Sequence, residues 1–428
     1  MPVNEVINIS HKILLIPNNK AITHFRKAFG CSRLAYNWGL NKWQEYYKQG
    51  IKKTHLELKK EFNSIKKEEF PFVYEVSKYA TQQPFLHLNA AFKKFFRDLE
   101  KGKISYPKFK KKSKNSGSYY IGGDHVVIKD EKYLKIPNLG LVKMREKLRF
   151  DGKINSVTIS QNGDKFYASF SMQITKQTYA DTHKKPKRNN IALGIDVGLN
   201  SFLSLSNGLE VKAPKPLKKL ERTLIRRSRQ LNRKQHAKTK QEALDGVESS
   251  KNFIKASRKL NKLYSRITNI RKDYLHKLTS SLVANADYFC LEDLNVQGMM
   301  QNHRLAKSLS DVSFYEFKRQ LEYKAAYNDK QIIQVDRFYP SSKMCSKCGN
   351  IKTDLSLKDR VYYCQTCGTI IDRDYNASLN MLSHLQKAIG QVRPEFTLAD
   401  LTALQLDLAI NQIVTSKAEA GIQQKYCA

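Results

Sequence analysis

The alternation of hydrophobic and polar residues divides the first part of the chain into strand-like and helix-like stretches. A period of two over residues 6–16 predicts a strand, and apolar residues recur with a helical period over residues 19–103. From residue 104 the pattern returns to short strands, which are expected at residues 119–121, 125–128 and 133–136. A hairpin then follows, with strands at residues 154–160 and 166–174 joined through a Gln-Asn-Gly-Asp turn. This order predicts a β-domain that is interrupted by a helical insertion.

A second pattern begins after a polar, basic stretch that contains Pro186 and suits a linker. Strands and helices alternate from there on, as they do in an α/β domain. This order is compatible with a ribonuclease-H-like fold. The expected elements are strands at residues 191–198, 201–205, 288–291 and 331–335, a very basic helical stretch at 212–277, a helix at 314–325 and a last helix from 376.

Three acidic residues lie at the ends of these elements. Asp196 and Glu292 each end an apolar run, and Asp374 precedes the last helix, so the fold can bring them together. Hard divalent cations such as Mg²⁺ take oxygen ligands, and a two-metal site clamps the attacking and leaving oxygens of a phosphodiester. Any one of these acids alone would be a cap or a solvated strand end. Grouped carboxylates repel one another without a metal, so the three together favour a metal site.

The charge balance indicates a polyanionic partner. The 428 residues include 76 Lys and Arg against 39 Asp and Glu, a formal charge of +37, and 41% hydrophobic residues suffice for two or three domains. Phosphate neutralisation would supply much of the affinity. Ribosome binding or membrane adhesion could use the same charge, but neither needs grouped carboxylates. No run of about 18 apolar residues and no signal-peptide layout occur, so we expect a cytoplasmic protein without a membrane partner.

The helical stretch at residues 212–277 carries much of this charge and has few acids to pair with it. The excess of cations favours contact with a nucleic-acid backbone. A solvated helix face is the alternative, because that is what a charge run usually is. The candidate phosphate-binding residues are Arg226, Arg227 and Arg233.

Two CxxC pairs form the strongest local motif. They are separated by fifteen residues and each is followed by glycine, which is typical of a closed tetrahedral site for one structural Zn²⁺. Unligated buried cysteines or disulfides are the alternative. The other three cysteines, Cys31, Cys290 and Cys427, are expected to pack or to stay free, as in a reducing compartment. The candidate zinc ligands are Cys345, Cys348, Cys364 and Cys367.

Taken in order, these motifs resemble the TnpB family, the RNA-guided nucleases that bacterial insertion sequences encode and that are related to compact type V CRISPR effectors. The resemblance covers roughly residues 5–388, and the order of the motifs is more specific than any one of them. Residues 31–38 also look like the family's first helical segment. The matching motifs are Gly194-Ile195-Asp196-Val197-Gly198, Leu291-Glu292-Asp293-Leu294-Asn295, residues 339–349 and 359–364 around the cysteines, and Asp372-Arg373-Asp374-Tyr375-Asn376-Ala377-Ser378-Leu379-Asn380.

The resemblance implies a wedge β-barrel with a helical recognition insertion, followed by a RuvC-like nuclease domain that carries a zinc ribbon. It also implies a guide RNA that pairs with double-stranded target DNA. Asp196, Glu292 and Asp374 match the catalytic acids and would hold two Mg²⁺. Arg360 matches an arginine that lies near the scissile phosphate in related nucleases, although a basic residue in a zinc ribbon could equally contact only the backbone.

The family's helical insertion helps to read a short DNA motif beside the target. Lys78, Gln82 and Gln83 are candidates for this role, because Gln can pair bidentately with adenine. An ordinary polar helix face is the alternative for these three residues. Asp293 and Asp372 neighbour the catalytic acids, and we expect them to cap or orient those acids.

We therefore expect an α+β multidomain protein that acts as an RNA-guided, metal-dependent DNA endonuclease of a transposable element. A guided DNA-binding repressor would normally lack a catalytic acid, and an RNA-independent transposase or resolvase fits the family less well. The expected domains are a wedge β-barrel at residues 1–18 and 104–180, a helical insertion at 19–103, a linker at 181–190, a RuvC-like domain at 191–343 and 369–390, a zinc ribbon at 344–368 and a C-terminal tail at 391–428.

Overall fold

The computed structural model describes residues 5–112, 116–182, 191–234, 250–356 and 358–389. The chain divides into two compact units, Met1–His183 and Lys184–Ala428, and each is described by itself. The expected tail at 391–428 and nearly all of the expected linker lie outside the described residues. Within those residues, no helix combines the length and the apolar character that a membrane span requires.

The first unit contains a seven-stranded antiparallel sheet with the order β2-β6-β7-β1-β5-β4-β3. β1 has the predicted bounds, and its alternation buries every second residue from Ile7 to Leu15. The predicted hairpin is also present, as β6 and β7. The sequence analysis missed β5. The strands are β1 Val6–Ile16, β2 Ser116–Gly122, β3 Val127–Lys129, β4 Tyr133–Ile136, β5 Gly140–Met144, β6 Lys153–Asn162 and β7 Lys165–Thr175.

Three helices fill the predicted helical insertion between β1 and β2, namely α1 Asn19–Lys48, α2 His55–Glu69 and α3 Tyr79–Leu99. Each of the first two begins at a side-chain cap. The Asn18 side chain accepts the Ala21 N–H, and Thr54 forms a capping box with Glu57. A short helix, α4 Lys176–Thr182, follows β7. The short strands expected at residues 119–121, 125–128 and 133–136 are confirmed as β2, β3 and β4.

The second unit contains a five-stranded sheet with the order β10-β9-β8-β11-β12, in which β8, β11 and β12 are parallel. The predicted pairing of the first two strands is confirmed. The sequence analysis did not predict the strand at residues 210–211, the continuation of the long basic helix to Asn285, or the two short helices at residues 296–300 and 303–312. The elements are β8 Ala192–Val197, β9 Leu203–Leu205, β10 Glu210–Val211, α5 Pro216–Asn232, α6 Lys251–Asn285, β11 Tyr288–Glu292, α7 Val296–Met300, α8 His303–Val312, α9 Phe314–Tyr327, β12 Gln331–Val335, β13 Val361–Tyr363, β14 Ile370–Asp372 and α10 Arg373–Ile389.

Helices cover both faces of this second sheet. On one face, Ile195 and Leu291 share a core with apolar residues of α6 and α9. On the other face, Ala192 and Cys290 pack against Met381 of α10. Parallel strands that are buried on both faces read as continuous apolar runs, which is why their sequences were recognisable. The chain is therefore a mixed α+β protein, as expected.

Candidate functional site

Strand register places Asp196 beside Glu292. β8 and β11 are adjacent and parallel, with Ile195 opposite Leu291. Those two residues point into the core shared with α6 and α9. Successive side chains alternate between faces, so Asp196 and Glu292 project from the other face, the one that α10 covers.

The first turn of α10 carries Asp374 toward the same place. α10 approaches β8 closely at Gly194, where an added Cβ would lie 2.1 Å from the carbonyl oxygen of Ser378. Asp374 lies one helical turn before Ser378, on the same side of the helix. The glycine therefore permits the contact that brings the third acid toward the two strand ends.

The three carboxylates influence one another electrostatically. Burial, and after it the charges of Asp374 and Glu292, raise the pKa of Asp196 to about 8. Burial also raises the pKa of Glu292. Among the described residues, the four cysteines form the only group of three or more candidate ligands whose ligand atoms all lie within 4.8 Å of one another, so the three carboxylates are spread more widely than that. Oxygen donors that repel one another fit a divalent cation, since a cation would relieve that repulsion.

Two arginines hold Asp374. Arg373 places Nη2 3.1 Å and Nε 3.2 Å from Asp374 Oδ1, and the Arg360 Nη1 atom lies 3.6 Å from Oδ2. Arg373 is largely buried, but half of the Arg360 side chain is exposed. Arg360 is therefore at the edge of the acid group and remains accessible. Arg373 was not singled out from the sequence, although it lies between two acids of the same motif.

The two acids that neighbour the catalytic candidates have separate tasks. Asp372 accepts the backbone N–H groups of Asp374 and Tyr375, so it caps α10, as expected. Asp293 accepts hydrogen bonds from Lys318 at 3.2 Å and from Arg337 at 3.1 Å. These cations lower the pKa of Asp293 and so favour its charged form, whereas burial raises the pKa of the neighbouring Glu292.

A cavity of about 330 Å³ adjoins Glu292. Its apolar lining comes from the end of β11, from α7 and from the start of α9, and its rim carries Lys318, Arg319 and Arg337. Each of these cations already has an acidic partner, because Lys318 and Arg337 bond Asp293 and Arg319 bonds Glu316.

The four predicted cysteine ligands come together in the ribbon. Their ligand atoms lie within 4.8 Å of one another, with Sγ–Sγ distances of 3.6 Å for Cys345–Cys367 and 3.5 Å for Cys348–Cys364. A tetrahedron of Zn–S bonds of about 2.3 Å has edges of about 3.8 Å. The cluster could therefore hold a zinc ion with little rearrangement.

Two matching backbone turns build this cluster. Gly349 donates its N–H to the Cys345 carbonyl oxygen, and Gly368 donates to that of Cys364, both at 2.9 Å. The two glycines have φ of +77° and +71°, a conformation that other residues rarely adopt. The glycine after each CxxC pair was thus a true turn signal. The buried Tyr362 packs between Cys345 and Cys364.

The predicted phosphate-binding arginines of α5 lie on different faces. Arg226 and Arg233 are exposed and line an open groove with Arg222 and Arg229. Arg227 is half-buried and donates from Nη1 to the Lys259 carbonyl oxygen of α6 at 3.0 Å. The sequence analysis grouped all three, because it did not weigh helical phase within the charge run. Residues 235–249 of the basic stretch lie outside the described part of the chain.

The candidates in the helical insertion lie at the start of α3. Lys78 is exposed, and its Nζ lies 5.2 Å from the centre of the Tyr79 ring. Gln82 and Gln83 are half-buried one turn further on. Their positions on one helix start are compatible with either of the roles considered for them.

Three protein-family models match the chain. A model described as "Probable transposase", OrfB of IS605, matches residues 169–303, and one described as "Cas12f1-like, TNB domain" matches residues 314–381. A third, described as "Helix-turn-helix domain", matches residues 1–52. The described part of that segment forms β1 and the single long helix α1.

Similar structures include a Cas12f1–sgRNA–target DNA complex, 16% identical with a TM-score of 0.31, covering 88% of this chain and 98% of that one. CasPhi-2 (Cas12j) bound to crRNA is 10% identical with a TM-score of 0.42, covering 91% and 99%.

Curated relatives extend over most of the chain. A protein of Streptomyces pristinaespiralis named "Putative RNA-guided DNA endonuclease" is 30% identical over 383 residues, which cover 87% of this chain and 88% of the relative. InsQ of Escherichia coli K12, which carries the same description, is 29% identical over 328 residues, covering 73% and 76%. A "TnpB-like protein" of Acanthamoeba polyphaga mimivirus is 29% identical over 235 residues, covering 53% and 42%. This chain therefore belongs to the TnpB family.

Proposed function

We propose that the chain is an RNA-guided DNA endonuclease that hydrolyses phosphodiester bonds of target DNA at the site of Asp196, Glu292 and Asp374. The name of the Streptomyces relative, which matches 87% of this chain, supports the guided nuclease activity. The observation that carries the location of the site is the convergence of the three acids. Two neighbouring strand ends and the start of α10 bring their charges close enough to shift the pKa of Asp196.

In this proposal the second unit is the RuvC-like nuclease domain and bears the zinc ribbon, and the first unit is the wedge domain with a helical recognition insertion. Support comes from the order of elements. A strand pair, two long helices, a parallel strand, helices, a parallel strand and a final helix follow one another, with the cysteines just before that last helix. In the first unit, three helices interrupt an antiparallel sheet between its first two strands.

The three acids would hold two Mg²⁺, which when bound would supply an activated water and stabilise the leaving oxygen. The protein's own residues prepare this site. The high pKa of Asp196 keeps that carboxyl protonated at neutral pH in the absence of cations, so cation binding must release a proton. Arg373 fixes the Asp374 carboxylate, and the accessible Arg360 is placed to contact a phosphate beside it.

The guide and the target would be held mainly through their phosphates. The formal charge of +37 and the exposed arginines of α5 support this part of the proposal. Sequence would be read by base pairing with the guide RNA, and Lys78, Gln82 and Gln83 are proposed to contact the adjacent DNA motif. A repressor that binds without cutting fits less well, because all three acids are present.

The proposal is tested by cleavage of a double-stranded target by the purified protein with RNA that copurifies with it. Asp196→Asn, Glu292→Gln and Asp374→Asn keep side-chain size but remove a ligand charge, so each should abolish cleavage while target binding stays intact. Asp329→Asn, an exposed loop acid away from the site, serves as the control. Cleavage at the unmodified rate in any of the three variants would remove that acid from the proposal. Cleavage without RNA would favour a transposase or resolvase.

A further inference from the structure

Two buried asparagines connect the zinc ribbon to the helix that carries Asp374. Asn376 is fully buried and Asn380 is 2% exposed, and they lie four residues apart on the inner face of α10. Both side chains reach the backbone beside the first zinc ligand, Cys345. Within the described part of the chain, the hydrogen bonds of both side chains go to backbone groups, and neither residue lines the cavity beside Glu292.

The hydrogen bonds surround Cys345 on both sides. Asn376 Nδ2 donates to the Met344 carbonyl oxygen at 2.7 Å, and its Oδ1 accepts the Ser346 N–H at 2.9 Å. Asn380 Nδ2 donates to the same Met344 oxygen at 2.6 Å and to the Ser341 oxygen at 2.7 Å. The side-chain amide of Asn376 therefore hydrogen-bonds both the residue before and the residue after a zinc ligand.

A second connection runs through the other half of the ribbon. β14 leads directly into α10, its last residue Asp372 caps the helix, and the Arg373 N–H donates to the Arg360 carbonyl oxygen at 2.8 Å. The first turn of α10 is thus tied both to the first CxxC pair and to Arg360, which lies four residues before the second pair. On its other side the helix rests on β8 at Gly194. These contacts hold the first turn of α10, and with it Asp374, from two sides.

We infer that Asn376 and Asn380 are positioning residues, which transmit the folded state of the zinc ribbon to the Asp374 carboxylate and so fix a ligand of the proposed Mg²⁺ site. This inference rests on the proposed function, since it needs Asp374 to bind a cation. The alternative is that these two buried amides, which together satisfy three backbone groups, only stabilise the ribbon. If the amide is removed while zinc stays bound, the positioning role predicts weaker cation binding at Asp374. A purely stabilising role predicts unchanged cation binding there.

The experiment compares Asn376→Ala and Asn380→Ala with two controls in the full-length protein. Tyr362→Phe removes a hydroxyl that donates to the Lys343 and Asn350 carbonyl oxygens, so it perturbs only the ribbon's own bonds. Lys387→Ala changes an exposed residue of the same helix. For each variant we would measure zinc content, thermal unfolding, target binding, cleavage rate, and the affinity for Mn²⁺ by electron paramagnetic resonance.

We expect the asparagine variants to keep one zinc per chain and their target binding, to bind Mn²⁺ more weakly, and to cleave slower by a factor on the order of 100, the cost of misplacing a reacting group by about 1 Å. Higher Mn²⁺ concentration should restore part of the rate, and the two controls should behave as wild type. The inference is overturned if Mn²⁺ affinity stays unchanged while zinc is retained. It is also overturned if the variants lose zinc, or if Tyr362→Phe weakens Mn²⁺ binding equally.

Failure of the underlying function looks different. If Asp374→Asn still binds Mn²⁺ and cleaves, the acid site itself has been misassigned, whatever the asparagine variants do. If Asp374→Asn is inactive and Asn376→Ala behaves as wild type in Mn²⁺ binding, only the positioning role is lost.

Discussion

Gly194 of β8 lies so close to Ser378 of α10 that a Cβ on the glycine would be 2.1 Å from the Ser378 carbonyl oxygen. The φ of Gly194 lies outside the left-handed region, so this glycine is required for space and not for backbone freedom. Because Asp196 follows two residues later and Asp374 precedes Ser378 by one turn, this contact sets the separation of two acids.

Replacing Gly194 with alanine should therefore push α10 away from β8 and impair the acid site. Overpacking of this kind typically costs about 1–3 kcal/mol, and we expect a lower melting temperature together with a loss of cleavage larger than the loss of target binding. Gly30→Ala is the matched control, because an added Cβ there has no atom within 4 Å and the helical position favours alanine. Wild-type cleavage by Gly194→Ala would show that α10 can shift without disturbing Asp374.

The Asp196 carboxyl should destabilise the metal-free protein increasingly as pH rises from about 4 to about 8. The pKa of Asp196 is raised to about 8, so the folded state holds a proton that the unfolded state releases above about pH 4. Since the folded state binds more protons across that window, unfolding becomes easier as pH increases. Added Mg²⁺ should reverse the loss at pH 8, because a bound cation takes the place of the proton.

Thermal unfolding of Asp196→Asn measures this contribution directly. The variant should be more stable than wild type at pH 8 without Mg²⁺, by on the order of 2–5 kcal/mol, and the difference should shrink toward pH 4. Buffers must be freed of Mg²⁺ by resin and not by a strong chelator, which would also strip zinc. Asp293→Asn is a control of opposite sign, because Lys318 and Arg337 lower the pKa of Asp293. A variant no more stable than wild type at pH 8 would contradict the repulsion described here.

Several parts of this arrangement were readable from the sequence. Alternating or continuous apolar runs predicted β1, β12 and the hairpin of β6 and β7. The spacing of the two CxxC pairs predicted that the four cysteines lie together. Strand register explains why Asp196 and Glu292 are neighbours, because each lies at the carboxyl end of one of two adjacent parallel strands. Asn376 and Asn380 could also have been found from the sequence. They are two amides four residues apart on the apolar face of α10, and assigning each position of the helix to a face would have singled them out.

Other parts depend on tertiary contacts that no local pattern encodes. β5 has only five residues and is defined by pairing with β1 and β4, and α7 and α8 are short helices that begin at the side-chain caps Asn295 and Asn302. Arg227 was grouped with its neighbours because composition counts charges without their direction around the helix.

Zinc should contribute directly to the folding of the ribbon. Cys345→Ser removes one of four thiolates, and a structural Zn²⁺ can contribute on the order of 10 kcal/mol to such a module. We expect wild-type protein to contain about one zinc per chain, and the variant to lose zinc and the order of the ribbon. Gln365→Ala, an exposed non-ligand residue inside the second CxxC pair, should retain both. A folded wild-type protein without zinc, by elemental analysis, would refute the site.

The exposed arginines of α5 should bind phosphates. Arg222, Arg226, Arg229 and Arg233 follow at helical spacing along one face over about 16 Å, and none of the ion pairs among the described residues involves them. Each phosphate neutralised by such a cation releases counterions and makes binding weaken with salt. Replacing Arg222, Arg226 and Arg233 together with Gln should weaken binding of RNA of any sequence and make the logarithmic salt slope shallower by about 2 to 3.

Arg227→Gln provides the matched control on the same helix. Its guanidinium is half-buried and donates to the Lys259 carbonyl oxygen, so losing it should lower stability and leave the salt slope nearly unchanged. Fluorescence anisotropy with labelled RNA between about 50 and 200 mM salt measures both slopes over a range in which phosphate contacts change affinity strongly. The triple variant keeps all three acids, so any complex that still forms should cut. An unchanged salt slope in the triple variant would mean that these arginines are only a solvated helix face. An equal reduction of the salt slope in Arg227→Gln would contradict the division between the two faces of α5.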